Sequence, residues 1–191
     1  FFLEISSWIV LRLKVIPDIT QKAGMSSLIH FRYQGQSWRN EGEIWGGWHL
    51  KNATSRHVKE CFDVTYNSNE YGARDDKFEI IDKSKNRIIL LGDSFAEGYG
   101  VDHNKTAATI LENLSKNEVY NFGSALNNGP LQYYLLYKEL ASKFEHDKVL
   151  IFLTEANDFS DNDINDKKWK RLNSSIIERR YRPYFIKNKD E

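Results

Sequence analysis

Cysteine is nearly absent from this chain, which has a single one, Cys61, among 191 residues. One cysteine excludes an internal disulfide bond, so the fold cannot depend on cross-links of that kind. Cys61 precedes Phe62-Asp-Val64 in a predicted strand. We therefore expect a buried, chemically inert thiol rather than a nucleophile.

An excess of charge of either sign is also lacking, because 27 Lys and Arg residues balance 27 Asp and Glu residues. Proteins that bind nucleic acids usually carry a basic excess, so the composition argues against a nucleic-acid partner. Hydrophobic residues make up 40% of the chain and charged residues 28%, which is the balance of a globular domain.

No uninterrupted hydrophobic run reaches the roughly 20 residues that a membrane-spanning helix requires. Residues 1–16 are apolar, but Glu4, Arg12 and Lys14 interrupt them. Two interpretations are open: the end of a membrane anchor, or an amphipathic helix packed on the domain. The anchor is favoured and predicts a membrane-anchored or exported protein of the periplasm or cell envelope. Because the sequence begins with Phe1 rather than methionine, we expect a longer protein.

The rest of the chain divides by pattern at about residue 87. Residues 17–86 hold four of the eleven glycines close together and read as a β-rich or irregular region. Within it, Gly46-Gly47 predicts a turn, and the tryptophans at 38, 45 and 48 are expected either to pack a small β core or to stack on sugar rings.

Residues 87–191 begin with strands and helices in alternation. Strands are predicted at 88–91, 119–122 and 149–153, and helices at 105–116 and 131–144. Such a βαβαβ pattern predicts an α/β fold with a doubly wound parallel sheet. The residues after the three strands include Ser94, Gly123 and Asn157, so we expect these three residues to meet at one edge of the sheet.

The first of these strands runs directly into Gly92-Asp93-Ser94. A serine at the carboxyl end of a buried strand lies where open α/β sheets place their ligands, and a following helix would direct backbone N–H groups to the same point. Ser94 is therefore a candidate nucleophile for acyl transfer. The alternative is a plain helix N-cap, in which Asp93 or Ser94 accepts the first free N–H groups.

The chain resembles the SGNH/GDSL hydrolases, which are serine esterases and acyltransferases on a flavodoxin-like sheet. The first family block, Gly-Asp-Ser, is matched by Gly92-Asp93-Ser94, and the glycine of the second block by Gly123. The third block, Gly-x-Asn-Asp, is matched at Asn157 and Asp158, although Glu155 replaces its glycine. Segments at 64–75 and 182–185 resemble one exported or membrane-anchored subgroup, and the similarity covers residues 60–185.

The resemblance implies a serine-centred mechanism. Ser94 would attack an ester carbonyl, and the N–H groups of Ser94 and Gly123 with the Asn157 amide would hold the oxyanion. Asp93 and Asp158 would support the turn and the loop. No metal or cofactor is implied, and the expected substrate is a small-molecule or polysaccharide ester.

The chain departs from the family in its last block, Asp-x-x-His, whose histidine takes the serine proton. None of the five histidines at 30, 49, 57, 103 and 146 lies after Asn157. A serine without a positioned base is a weak nucleophile. Two interpretations follow: a hydrolase or O-acyltransferase truncated before its base, which we favour, or a non-catalytic carbohydrate-binding or assembly module that keeps the fold.

The remaining charged clusters have simpler explanations. Aspartates and an asparagine between 158 and 166 suggest a calcium loop, but the glycine and glutamate of an EF-hand are missing. We expect a solvated helix start or loop there. His103 is likewise expected to be a solvated loop residue, and His146 to lie at the amino end of the third strand, away from Ser94.

Overall fold

The fold is described from a computed structural model, which covers residues 34–35, 39–76, 78–81, 86–125, 128–163 and 183–184. Tyr33–Glu191 form one compact unit. The predicted features of residues 1–16, with Trp38 and His30, lie outside the described residues.

Eight strands and four short α-helices occur in this part of the chain. The strands are β1 (Gln34–Gly35), β2 (Arg39–Glu43), β3 (Gly46–His49), β4 (Thr54–Lys59), β5 (Phe62–Asn67), β6 (Arg87–Gly92), β7 (Glu118–Gly123) and β8 (Lys148–Ile151). The helices are α1 (Ser94–Glu97), α2 (Ala107–Ser115), α3 (Pro130–Glu139) and α4 (Asp158–Asp161), with 3₁₀ turns at His103–Lys105 and Ala141–Lys143.

The first five strands form two antiparallel units. β4 pairs with β1 and β5, and β2 pairs with β3. The turn between β2 and β3 is at Ile44-Trp45 rather than at Gly46-Gly47, because Gly46 already begins the returning strand with φ of +110°. The expected burial of Cys61 is wrong: it lies in the tight turn between β4 and β5, where the chain reverses at the surface, and is exposed.

The last three strands form the predicted parallel sheet, in the order β7-β6-β8. Gly92 pairs with Gly123 across β6 and β7, and Leu91 pairs with Ile151 across β6 and β8. The chain therefore enters the sheet at its centre, adds a strand on one side and then crosses to the other. The mixed α/β class and the parallel sheet are confirmed.

Helix limits follow local capping chemistry. The Thr106 side chain accepts from the N–H of Thr109, so α2 begins after Thr106 rather than at Lys105. Lys116, with φ of +59°, ends it in the left-handed conformation. Pro130 occupies the first turn of α3, where a missing N–H costs nothing.

The main hydrophobic cluster joins the N-terminal strands to the parallel sheet. Trp48 is 1% exposed, and its ring stacks on that of Phe122 of β7, with the ring centroids 6.4 Å apart. The Trp45 ring meets the Trp48 ring edge-on, with the centroids 6.3 Å apart. Ile89 and Leu91 of β6 belong to the same cluster. Trp45 and Trp48 therefore pack the core and do not present their faces to a sugar.

Among the described residues, no helix has the length and apolar character required to cross a bilayer.

Candidate functional site

Ser94 is the first residue of α1, directly beyond the carboxyl end of the central strand. Asp93 is 3% exposed and caps the helix, because its Oδ1 accepts from the N–H of Phe95 at 2.9 Å. Ser94 itself is partly exposed, and its hydroxyl has no hydrogen-bond partner in the described part of the chain. The cap is thus provided by Asp93, which leaves the Ser94 Oγ available for chemistry.

The helix after Ser94 is only one turn long and is ended by Gly98. Gly98 has φ of +82°, and its N–H donates to the Ser94 carbonyl. The buried guanidinium of Arg74 donates to the carbonyls of Glu97, at 3.0 Å, and of Gly98. A cation at the carboxyl end of α1 satisfies carbonyls that have no partner within the helix.

Gly123 lies at the end of β7, packed against α1. A Cβ atom there would lie 2.5 Å from the carbonyl carbon of Ala96 and closer still to the nitrogen of Glu97. The N–H of Gly123 donates to Oδ1 of Asn121 at 2.9 Å, while Nδ2 of Asn121 donates to the Ala96 carbonyl at 3.0 Å. In this conformation the glycine is required for close backbone packing, and its N–H is held by Asn121.

Asn157 follows β8 and precedes α4, on the other side of the central strand. Its Nδ2 donates to Oδ2 of Asp161 at 2.7 Å and to Oδ1 of Asp158 at 3.3 Å. Asp158 is 1% exposed and accepts from the Thr154 N–H at 2.7 Å and the Tyr133 hydroxyl at 2.9 Å. The predicted support of this loop by Asp158 thus corresponds to a set of specific hydrogen bonds.

The two sides of the site are close enough to influence each other electrostatically. Burial, and then the carboxyls of Asp93 and Asp161, raise the pKa of Asp158, although the hydrogen bonds from Thr154 and Tyr133 oppose that shift. Asp93 adjoins Ser94 and Asp158 adjoins Asn157, so this interaction spans the space between the two predicted site residues.

Open α/β sheets bind ligands where the strand connections diverge, which here is the carboxyl end of the space between β6 and β8. An open cleft of about 460 Å³ lies there, lined by Phe95, Phe152, Thr154 and two exposed residues of the β8 segment, Ile151 and Leu153. Its walls are mainly apolar and adjoin the residue that follows Ser94.

None of the described histidines donates to or accepts from the Ser94 hydroxyl. His49 and His57 are 1% exposed and are engaged elsewhere, His49 with Gly72 and Glu97, and His57 near the hydroxyls of Tyr66 and Tyr99.

The other two described histidines also contact groups other than Ser94. His103 is in a surface 3₁₀ turn, with Asp76 at 3.8 Å. His146 lies before β8, at the amino end of the sheet, where its Nδ1 donates to the Phe144 carbonyl at 2.7 Å.

No group of three or more His, Cys, Asp or Glu side chains in the described ranges is arranged to hold a metal ion. The aspartates at 158 and 161 begin and end α4 and accept from protein donors. Both are 1% exposed, so the expectation that this segment is solvated is wrong at these two positions.

A scan against protein-family models finds no match for this chain, and a search of curated proteins finds none either.

Four residues around the site were missed by the sequence reasoning: His49, Arg74, Glu97 and Asn121. Arg74 belongs to the segment 64–75 that carried part of the family resemblance, and Glu97 is three residues after Ser94. Their partners are 23 to 48 positions away along the chain. The motifs therefore marked two of these residues, but no sequence pattern indicated what they contact.

Proposed function

We propose that this chain carries the nucleophile of an SGNH-type serine hydrolase or O-acyltransferase acting on acyl groups in ester linkage to carbohydrate or cell-surface polysaccharide. The observation that carries the proposal is that Ser94, Gly123 and Asn157 follow three adjacent parallel strands, at one edge of the sheet. The order β7-β6-β8 is the order in which a flavodoxin-like sheet begins, and we extend the fold assignment on that basis.

In the proposed reaction, the Ser94 Oγ attacks the ester carbonyl carbon and the carbonyl π electrons move to oxygen. Collapse of the tetrahedral intermediate breaks the ester C–O bond and releases the alcohol. The serine proton passes through a histidine base to that alcohol, and water or a second hydroxyl then removes the acyl group from Ser94. The base would come from an Asp-x-x-His block, which this sequence does not contain.

The oxyanion would be held by the N–H groups of Ser94 and Gly123 and by the Asn157 amide. In the structure, Asn121 Oδ1 and Asp161 Oδ2 accept from the last two donors. The substrate oxygen must therefore replace these acceptors, a rearrangement that catalytic hydrogen bonds often undergo when substrate binds. Removal of one such donor typically costs about 2.7–4 kcal/mol of transition-state stabilisation.

The Gly123 N–H and the Asn157 amide already donate to protein acceptors. This observation favours a second candidate, a non-catalytic carbohydrate-binding or assembly module. In such a module, Gly123 and Asn157 would serve packing alone, and Ser94 would need no base. The two candidates differ in one measurable property, which is the reactivity of the Ser94 hydroxyl.

A fluorophosphonate probe measures that reactivity. The tested protein is the native one at its natural length, which the proposal requires to include the Asp-x-x-His base. We expect one adduct per chain on this protein, mapped to Ser94 by peptide mass spectrometry, and none on Ser94→Ala. Because the Ser94 side chain makes no hydrogen bond in the described region, this variant should retain the wild-type circular dichroism spectrum. Ser142→Ala, in the exposed 3₁₀ turn at Ala141–Lys143, is the control and should label fully.

Absence of an adduct on the folded native protein, or an adduct that persists on Ser94→Ala, would reject the enzyme. In either case the non-catalytic module becomes the better account of the site.

A further inference from the structure

A buried pair connects β3 with the helix that carries Ser94. His49 and Glu97 are 1% and 2% exposed, and Nε2 of His49 lies 3.2 Å from Oε2 of Glu97. The other ring nitrogen, Nδ1, lies 2.9 Å from the Gly72 carbonyl. A carbonyl only accepts, so Nδ1 must carry a hydrogen, and the contact at Nε2 then requires a second proton shared with Glu97.

Glu97 has further partners besides His49. Burial alone would raise the pKa of Glu97, but His49, the Ala125 N–H and the charge of Arg74 outweigh burial and lower it. Glu97 also interacts with Tyr66, whose hydroxyl accepts from the Gly100 N–H.

The same oxygen of Glu97 that meets His49 also accepts from the N–H of Ala125. Ala125 belongs to the loop after β7, two residues beyond Gly123. Other contacts hold the start of this loop against the central strand and α1: the Ser124 N–H donates to the Gly92 carbonyl at 3.0 Å, and Asn121 bridges Ala96 and Gly123. Among these groups, Glu97 is the one that reaches Ala125 from α1.

We propose that Glu97 is a positioning residue that, held by His49, fixes the Gly123–Ala125 loop against the helix carrying Ser94. Glu97 does not touch the substrate. It sets the distance between the nucleophile and the loop that contains the Gly123 N–H. The effect of Glu97 on catalysis rests on the proposed function. The contacts of Glu97 with His49 and Ala125 do not depend on it.

Glu97→Gln is the test variant because it keeps the shape of the side chain and removes its charge. We expect the rate constant for fluorophosphonate labelling of Ser94 to fall by about 10- to 100-fold, the loss typical of a misplacement near 1 Å. Glu97→Asp, which restores the charge on a shorter side chain, should recover part of the rate. If the labelling rate fell only because the protein became less stable, Glu97→Asp would not label faster than Glu97→Gln.

Glu118→Gln is the matched control. Glu118 pairs with the buried Arg87 at 2.8 Å, but at the amino end of the sheet, opposite to Ser94. Its loss removes a comparable ion pair, so stability should fall while the labelling rate changes by less than about twofold.

Nuclear magnetic resonance supplies a readout that does not depend on reactivity. In the wild type we expect the His49 Nε2 resonance to report its contact with Glu97 and the Ala125 amide to be protected from hydrogen exchange. In Glu97→Gln, the His49 Nε2 resonance should move, and Ala125 protection should fall at least tenfold.

The two proposals fail in different ways. If wild-type protein does not label but Glu97→Gln changes His49 and Ala125 as expected, the proposed enzyme fails and the positioning link stands. If Ala125 protection is unchanged in Glu97→Gln, or if Glu118→Gln slows labelling as much as Glu97→Gln does, the role of Glu97 is overturned.

Discussion

β7 and β8 flank the same central strand, but β7 is buried at five of its six residues and β8 is exposed at all four. The outer edge of β7 is covered by the segment that follows β5. Asp75 accepts from the Asn121 N–H at 2.7 Å, and the Tyr120 hydroxyl exchanges hydrogen bonds with the backbone of Glu79. No described strand covers the outer edge of β8.

This difference shows how the two halves of the site are held. On the β7 side, Gly123 packs against α1, and Asn121, which accepts from the Gly123 N–H, is itself held by Asp75 of the N-terminal region. On the β8 side, Asn157 is held mainly by a local set of hydrogen bonds with Asp158 and Asp161. The β7 half therefore depends on the global fold, and the β8 half depends on its own loop.

The largest predicted effect contrasts the two strands directly. Phe122 of β7 is fully buried, so Phe122→Ala should lower the free energy of unfolding by about 3–5 kcal/mol. Leu150 of β8 is 37% exposed, and Leu150→Ala should cost less than about 1 kcal/mol. Urea denaturation measures both, and equal losses would contradict the comparison.

A smaller effect is expected from Gly123→Ala, since the added Cβ would meet the Ala96 and Glu97 backbone rather than a flexible side chain. Overpacking of this kind costs about 1–3 kcal/mol. The thermal midpoint should fall, whereas Ala156→Gly, in the loop beside Asn157 and exposed, should change it little. An unchanged midpoint for Gly123→Ala would show that the β7 loop is not held tightly against α1.

The smallest effect concerns pH and the edge of β7. Burial raises the pKa of Asp75 to about 8, above its value in the unfolded chain. A raised pKa contributes stability that is fully present below about pH 4 and is lost as pH rises through 8. Asp75 is partly exposed, so solvent limits the change to the order of 1 kcal/mol.

Asp75→Asn should therefore flatten the dependence of the unfolding free energy on pH between 5 and 9, as measured by urea denaturation at each pH. A slope equal to that of wild type would exclude Asp75 as its source. No β8 variant is expected to alter this slope, because Asp75 contacts β7.

Much of the parallel sheet was predictable from local patterns. The apolar runs at 88–91 and 119–122 each lie within an observed strand, and Thr106 caps the predicted helix. The third strand ends at Ile151, two residues earlier than predicted. The N–H of Phe152 still donates to the Leu91 carbonyl at 2.9 Å, and the chain leaves the sheet after that bond. The prediction that Cys61 is buried is wrong because a hairpin turn, rather than a strand, occupies that position.

The sequence by itself determined the alternation of strands and helices, the parallel sheet and the placement of Ser94, Gly123 and Asn157 after successive strands. These features depend on neighbouring residues, on hydrophobic period and on capping, which act over a few positions. Only the tertiary structure decided that Trp48 packs on Phe122, that Arg74 closes α1 and that His49 meets Glu97. Those contacts join residues 23 to 74 positions apart. They form only when the parallel sheet and the N-terminal strands pack into one hydrophobic core.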